Sequence, residues 1–215
     1  MPTLSPIIIT DARISDTLEI EAVDVACMKQ DPVAKLTYDF NETMIENQRR
    51  QWYFGLEHPR CRTLKAVING VIAGFITVVY PETSYEPTYD EINLNEALED
   101  GLEMMKPKNE KLFEDYYINM LENQRRMSLK LRKAVITNMA VLPEYRGLGC
   151  EFLLLERILE AVRRRDLPMI WVEVATGLTP IYEAFGFMAV KVEQLDLREY
   201  GGEGIAELTA MNLLL

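Results

Sequence analysis

Residues 133–163, KAVITNMAVLPEYRGLGCEFLLLERILEAVR, leave this chain few folds to choose from. An apolar run through Val141 reads as a strand, Pro143 breaks it, and Gly147 and Gly149 form a turn. Phe152, Leu155, Leu159 and Val162 then recur at helical spacing, which predicts an amphipathic helix with those four side chains in the core. A strand that passes through glycines into a helix points several free N–H groups at one place, an arrangement suited to phosphate. The unit belongs in an α/β (α+β) architecture.

The rest of the chain supplies the other layers. Pro6–Thr10 is an apolar strand, and a helix from about Ser15 to Gln30 is ended by Asp31 and Pro32. Asn41 caps a second helix that stops at Pro59. In TLKAVINGVIAGFITVVY two apolar runs meet at Asn69-Gly70, which predicts an antiparallel hairpin. From 81 to 115 there are eleven acidic and three basic side chains, a net of -8, punctuated by Pro81, Pro87 and Pro107. This composition reads as a solvated insertion with one or two short helices, or as a cover that draws in a cationic ligand. A long helix from about Asn109 to Leu131 follows, so the acidic and helical insertion spans about 81–132. Beyond the glycine turn, MIWVEVA is a strand, Thr176–Phe185 a short helix, and FMAVKVEQLDL and IAELTAMNLLL are strands around REYGGEG. Together these elements predict a mixed central sheet of about six to seven strands flanked by helices.

With 215 residues and 48% apolar content the chain can bury one substantial core, so 1–215 reads as a single domain. Its 34 acidic side chains outnumber 23 basic ones, and the net charge of -11 repels nucleic acid and anionic membranes while favouring a cationic amine. Arg163, Arg164 and Arg165 fall in the last turn of a helix, where they complement its dipole rather than form a nucleic-acid patch. MPTLSPIIITDAR lacks the basic start and apolar run of a signal peptide, and no stretch reaches the roughly 18 apolar residues that span a bilayer, so a cytoplasmic protein is expected. Cys27, Cys61 and Cys150 are too few and too widely spaced for a disulfide framework or a zinc site, which predicts three free thiols and no metal.

VLPEYRGLG, followed later by PIYEAFGF, resembles the GNAT superfamily of acetyl-CoA-dependent N-acyltransferases. The specificity lies in the combination: strand, Val-x-Pro, Arg-Gly-x-Gly, amphipathic helix, strand, then Tyr-x-x-x-Gly-Phe before another strand. The resemblance covers most of the chain, and the insertion ahead of the motif strand is similar to an arrangement in some fungal members. It implies acetyl-CoA as co-substrate and direct acetyl transfer to a small-molecule or peptide amine. In the family pattern Arg146 takes the first place, Gly149 the fourth and Glu151 the sixth, where glycine or alanine is usual. Met139 and Val141, with Arg146, Gly147, Leu148, Gly149, Cys150, Glu151 and Phe152, are the positions that would meet the coenzyme. The resemblance also implies that Asn138–Val141 splays from its neighbour and lends backbone groups to the pantetheine arm and the thioester carbonyl.

Glu151 is the departure that matters. A carboxylate about 5 Å from a phosphate charge would cost on the order of 1 to 3 kcal/mol at an effective dielectric of about 20 to 80. A first-turn glutamate is also favoured by the helix dipole and can turn to solvent. The residue is therefore either a tolerated departure or the mark of a non-catalytic or altered-donor GNAT-fold binding protein. Arg146 either solvates the turn or neutralises a phosphate. Cys150 sits at a helix N-terminus, but the one histidine, His58, is far away in sequence and reads as a helix cap, which argues against a thiol nucleophile.

Acetyl transfer to an amine needs a base for the ammonium proton and an acid for the departing thiolate. Tyr182 occupies the family's acid position, though a tyrosine there can simply pack with its hydroxyl bonded to backbone. Glu173 is the base candidate: alternation in MIWVEVA puts Trp171, Glu173 and Ala175 on one face, and burial should raise the carboxyl pKa. A structural hydrogen bond, or deprotonation through water and backbone carbonyls, would serve equally well. The acceptor stays open among small amines, antibiotics, polyamines and peptide N-termini.

Overall fold

The computed structural model describes residues 5–81, 101–127 and 132–215. Seven strands, β1 (Ile8–Asp11), β2 (Cys61–Ile68), β3 (Val71–Val79), β4 (Lys133–Val141), β5 (Met169–Ala175), β6 (Met188–Asp196) and β7 (Ile205–Leu214), form one mixed sheet in the order β1-β2-β3-β4-β5-β7-β6. The helices are α1 (Thr17–Met28), α2 (Pro32–Thr37), α3 (Glu42–Glu57), α4 (Glu110–Met127), α5 (Cys150–Arg163) and α6 (Thr179–Glu183). All neighbouring strands are antiparallel except β4 and β5, because α5 returns the chain to the same end of the sheet. Of the stretch 81–132, expected to be an acidic insertion, residues 101–105 are helical. Segments 82–100 and 128–131, which hold the first part of that stretch and the expected end of the long helix, lie outside the described residues.

Local chemistry accounts for the punctuation. Asn69 and Gly70, at φ 52° and 79°, make the left-handed pair that a tight hairpin between β2 and β3 requires. The Asn41 side chain accepts the Met44 N–H at 3.0 Å and so caps α3. Asp31 and Pro32 end α1 as the sequence predicts, but they also start α2, which the sequence reading missed. Asp31 Oδ1 accepts the Ala34 N–H at 2.7 Å, and Pro32 fills the first turn where its missing N–H is harmless.

The back face of the sheet is covered by α5. Leu155, Ile158 and Val162 have no exposed surface and pack with Ile136, Ile170 and Val172. Phe152 does not join them: it is 46% exposed and rests against Phe185, ring centroids 5.8 Å apart. It lies at the border of the apolar stripe in the first turn, where the helix overhangs the sheet end, so helical spacing alone overestimates its burial. On the front face, α1 and α3 pack through Ile20, Val23 and Trp52 against Ile72, Phe75 and Ala140. Asp24 of α1 ties these helices together by accepting from Trp52 Nε1 at 2.8 Å and Gln48 Nε2 at 2.6 Å.

The sheet opens where its two parallel strands end. β4 pairs with β5 only from Lys133–Met169 to Ile136–Val172, and beyond that point they part. On the other side β4 stays paired to β3, but Thr77 pairs with Asn138 and Val78 with Ile136, so Thr137 is an extra, bulged residue. A bulge bends its strand and shifts the alternation by one. Ala134 and Ile136 face α5 before it, and Met139 and Val141 face α5 after it.

Candidate active site

Three elements meet at this gap: the glycine turn leading into α5, the front edge of β5, and α6 behind. Gly147 and Gly149 have φ of 75° and 96°, a left-handed backbone costly for any other residue. A Cβ built on either glycine meets nothing within 4 Å, so the outer side of the turn is open. No side chain caps α5, and its first N–H groups have no partner inside the helix. The turn suits an anion of several oxygens such as a pyrophosphate.

Glu151, half-buried, lies in the first turn of this helix. Spacings of four, seven and eleven residues put it on the same stripe as Leu155, Ile158 and Val162, so its Cβ faces the sheet side and not bulk solvent. Arg146 turns back from the open side. Its Nε donates to the Val141 carbonyl at 3.0 Å and its Nη1 to Gln30 Oε1 at 3.2 Å, bracing the end of α1 against the end of β4. Cys27 joins that brace by donating to the Val141 carbonyl at 3.4 Å. Cys150 is fully buried, and burial followed by the charge of Glu151 pushes its thiol pKa up, which opposes a nucleophilic role. Leu148 stays largely exposed on the turn. His58 ends α3, where Nδ1 accepts the Arg60 N–H at 3.3 Å.

Behind the gap, Tyr182 of α6 is 1% exposed, packs edge-on to Phe187 and points its hydroxyl at Met139 Sδ, 3.9 Å away. Burial pushes the phenol well above its usual value, so it keeps its proton at any working pH. In front of the gap, Glu173 is the first β5 residue past the last pairing with β4. Its Oε1 accepts from Trp171 Nε1 at 3.3 Å, while Oε2 is buried with no hydrogen-bond partner among the described residues. Burial pushes this carboxyl up to about 7; the Trp171 bond opposes the shift and the nearby charge of Glu193 adds to it. Thus the gap has a carboxylate on one side and a phenol on the other.

Sequence reasoning missed the groups that surround Glu173. Lys133 of β4 holds its ammonium 5.2 Å from the Trp171 ring centroid, and burial pulls its pKa down to about 8. From β6, Lys191 bonds Glu193 and donates to Asn123 Oδ1 of α4 at 2.8 Å, while Asn123 Nδ2 donates to Glu193 Oε2 at 3.0 Å. Register explains how β6 reaches the site: Glu173 pairs with Ala210, which pairs with Lys191, and the small alanine leaves the space above β7 free. Tyr116 shares the inner stripe of α4 with Leu112 and Asn123, and burial pushes its phenol up to about 12, with the charges of Asp31 and Glu173 adding. A polar side chain on the buried stripe of α4 was the one available signal.

Among the described residues, no group of three or more His, Cys, Asp or Glu could hold a metal ion, and no helix is long and apolar enough to cross a membrane.

Comparison with known proteins accords with this arrangement. No curated protein matches the sequence. Among solved structures, the Drosophila melanogaster polyamine N-acetyltransferase, which catalyses the formation of N-acetylagmatine, superposes with a TM-score of 0.68 at 12% identity, over 98% of this chain and 100% of its own. An agmatine N-acetyltransferase variant in its apo form gives 0.70 at 12% identity, covering 97% of this chain and 99% of that one. The Escherichia coli ribosomal-protein-S18-alanine N-acetyltransferase gives 0.55 at 14% identity, with 97% and 94% covered. At such identities the likeness shows the shared fold alone. The family model described as the Acetyltransferase (GNAT) family matches residues 27–187, and the chain belongs to that family.

Proposed function

We propose that this protein is a cytoplasmic N-acetyltransferase that moves an acetyl group from acetyl-CoA to a primary amine by direct attack, without a covalent enzyme intermediate. The observation that carries the reading is the parting of β4 from β5 with Glu173 in front of the gap and Tyr182 behind it. The open glycine turn and uncapped α5 fit a pyrophosphate, with the N–H groups of Gly147 and of Gly149 to Phe152 as its donors. Backbone groups of Asn138–Val141 that face the gap are released from β5 and suit the amides of a pantetheine arm. When bound there, acetyl-CoA supplies an activated carbonyl.

The residues then divide the work. Glu173 accepts a proton from the incoming ammonium, for which a carboxyl poised near neutrality is apt. The freed amine forms the C–N bond as the C–S bond breaks, Tyr182 gives its proton to the departing sulfur, and the proton that the nitrogen sheds on becoming an amide restores the phenol. Arg146 braces the turn. The negative charge of the chain, much of it between 81 and 115 in the insertion that we read as being of the fungal type, favours an acceptor that arrives as a cation.

One observation favours a second reading: the inward phase of Glu151 sets a carboxylate beside the proposed phosphate cradle, as in a non-catalytic or altered-donor binding protein. Calorimetry with acetyl-CoA and an assay of thiol release across an amine panel separate the two. The transferase reading requires binding and amine-dependent release of coenzyme A. No heat or thermal shift at millimolar acetyl-CoA would leave the binding module, and release with another acyl donor only would leave the altered-donor enzyme.

Two substitutions probe the cradle. Glu151→Gly should tighten coenzyme A binding by about 1 to 3 kcal/mol at low salt, with the gain shrinking as salt rises. A pantetheine fragment without the pyrophosphate should show no such gain; unchanged or weaker binding of coenzyme A makes Glu151 a tolerated first-turn acid. Gly149→Val should raise the dissociation constant at least about tenfold, because valine resists the left-handed backbone and its β-carbon fills the open side of the turn. Equal affinity in that variant would show that phosphate is held elsewhere.

A further inference from the structure

The front of the gap carries more acceptor groups than one amine needs. Glu173 Oε2 is buried and unpartnered among the described residues. A second carboxylate, Asp31, stands at the junction of α1 and α2 and spends one oxygen, Oδ1, on its cap. Its place is fixed from two sides. Gln30 and Cys27, just before it, are tied to the end of β4 through Arg146 and the Val141 carbonyl. Beyond it, α2 is pinned to the start of α4: the Lys108 N–H donates to the Thr37 carbonyl at 2.9 Å, and Tyr38 meets Phe113 edge-on at 6.4 Å. Tyr116, one turn along α4 from Phe113, lies within the fields of both Asp31 and Glu173. One carboxylate thus stands at the gap and a second at the α1–α2 junction, which Gln30 and Arg146 tie to the end of β4, and the phenol of α4 feels the charge of both.

We propose that the acceptor is an aliphatic amine bearing a second cationic nitrogen, with its reacting nitrogen at Glu173, its far nitrogen at Asp31 and Tyr116 as a neutral hydrogen-bond partner between them. The inference rests on the transferase reading and names its substrate class. The reacting nitrogen gives one proton to Glu173 and forms the bond to the acetyl carbon as the C–S bond breaks; Tyr182 protonates the leaving sulfur, the second proton shed by the nitrogen restores the phenol, and the third stays on the amide. The far nitrogen keeps its proton against Asp31, so the product is a monoacetylated cation. Lys133 and Lys191 lie on the Glu173 side of the face, held by Trp171 and by the Asn123–Glu193 cluster. Among the described residues, Asp31 is thus the carboxylate left to meet an external cation.

The test compares kcat/KM, with acetyl-CoA, for a series of α,ω-diamines, their n-alkylamine counterparts of equal length, and agmatine. Wild type should favour the dicationic acceptor of best length by at least about tenfold over its matched monoamine. In Asp31→Asn that ratio should fall toward one; asparagine caps a helix as well as aspartate does, so α2 is retained, and an unchanged Tm checks it. Tyr116→Phe should lower the ratio by a smaller factor. Equal use of diamine and monoamine by wild type, a ratio untouched by Asp31→Asn, or clear preference for a peptide N-terminus would each overturn the assignment. If no amine is acetylated, the transferase reading fails instead, and calorimetry with the diamine decides the cation site: binding that Asp31→Asn weakens keeps it, and no binding removes it.

Discussion

Tyr182→Phe lowers kcat by roughly 10- to 1000-fold while the dissociation constant of acetyl-CoA stays within about twofold. The change removes one oxygen from a side chain whose ring is fixed by Phe187 and by nearly complete burial, so the turn and α6 should keep their places. A phenol of raised pKa is a weak acid in water, but the dry surroundings that raise it also raise the proton affinity of a thiolate leaving beside it. The mismatch between donor and sulfur is therefore smaller in the gap than in solution. The hydroxyl's one close partner among the described residues, the Met139 sulfur at 3.9 Å, is a poor acceptor, so donating to a reacting sulfur gives up little. Single-turnover measurement isolates the chemical step from product release. An unchanged rate with chemistry limiting would return Tyr182 to the role of a packed core residue.

The glycine turn, the hairpin and the strand-helix alternation were legible because each is written in adjacent residues. Gly147, Gly149 and Asn69-Gly70 declare their backbone conformations by type, and the structure places each in the left-handed region. The gap itself was known only through family resemblance. Its physical cause is the bulge at Thr137, which depends on how β4 meets β3, and nothing local distinguishes a threonine that bulges from one that pairs. For the same reason Glu173 was singled out but not its setting: Asn123, Glu193 and Lys133 reach it from α4, β6 and β4. Asp31 was read as a stop signal when it is both a stop and a start. Arg146 was read as solvating the turn or neutralising a phosphate, whereas its acceptors at Val141 and Gln30 are supplied by tertiary contacts.

Glu173→Gln should lower kcat/KM at pH 8 by roughly 100- to 1000-fold, with little change in acetyl-CoA affinity. It should also remove the limb of the pH profile near 7. In wild type the base form of Glu173 grows as pH rises through about 7, so kcat/KM should climb below that value and level off above it. The groups facing this carboxylate are Lys133 of β4, Tyr116 and Asn123 of α4, and Glu193 of β6; Lys133, at about 8, titrates later. A limb near 7 that survives the substitution belongs to another group and moves the proton to a water path. Stability supplies an independent check of the same pKa. Because the folded carboxyl is raised from 4.5 to about 7, the native protein holds that proton where the unfolded chain has lost it. Wild-type stability should therefore decline from about pH 4.5 to about pH 7 and then level, so the Gln variant gains Tm relative to wild type across that window. The gain should be full at pH 8 and vanish below about pH 4, where the wild-type carboxyl is protonated in both states. A constant Tm difference across this range would mean that Glu173 ionises normally, and a normal carboxylate is a poor base for an ammonium ion.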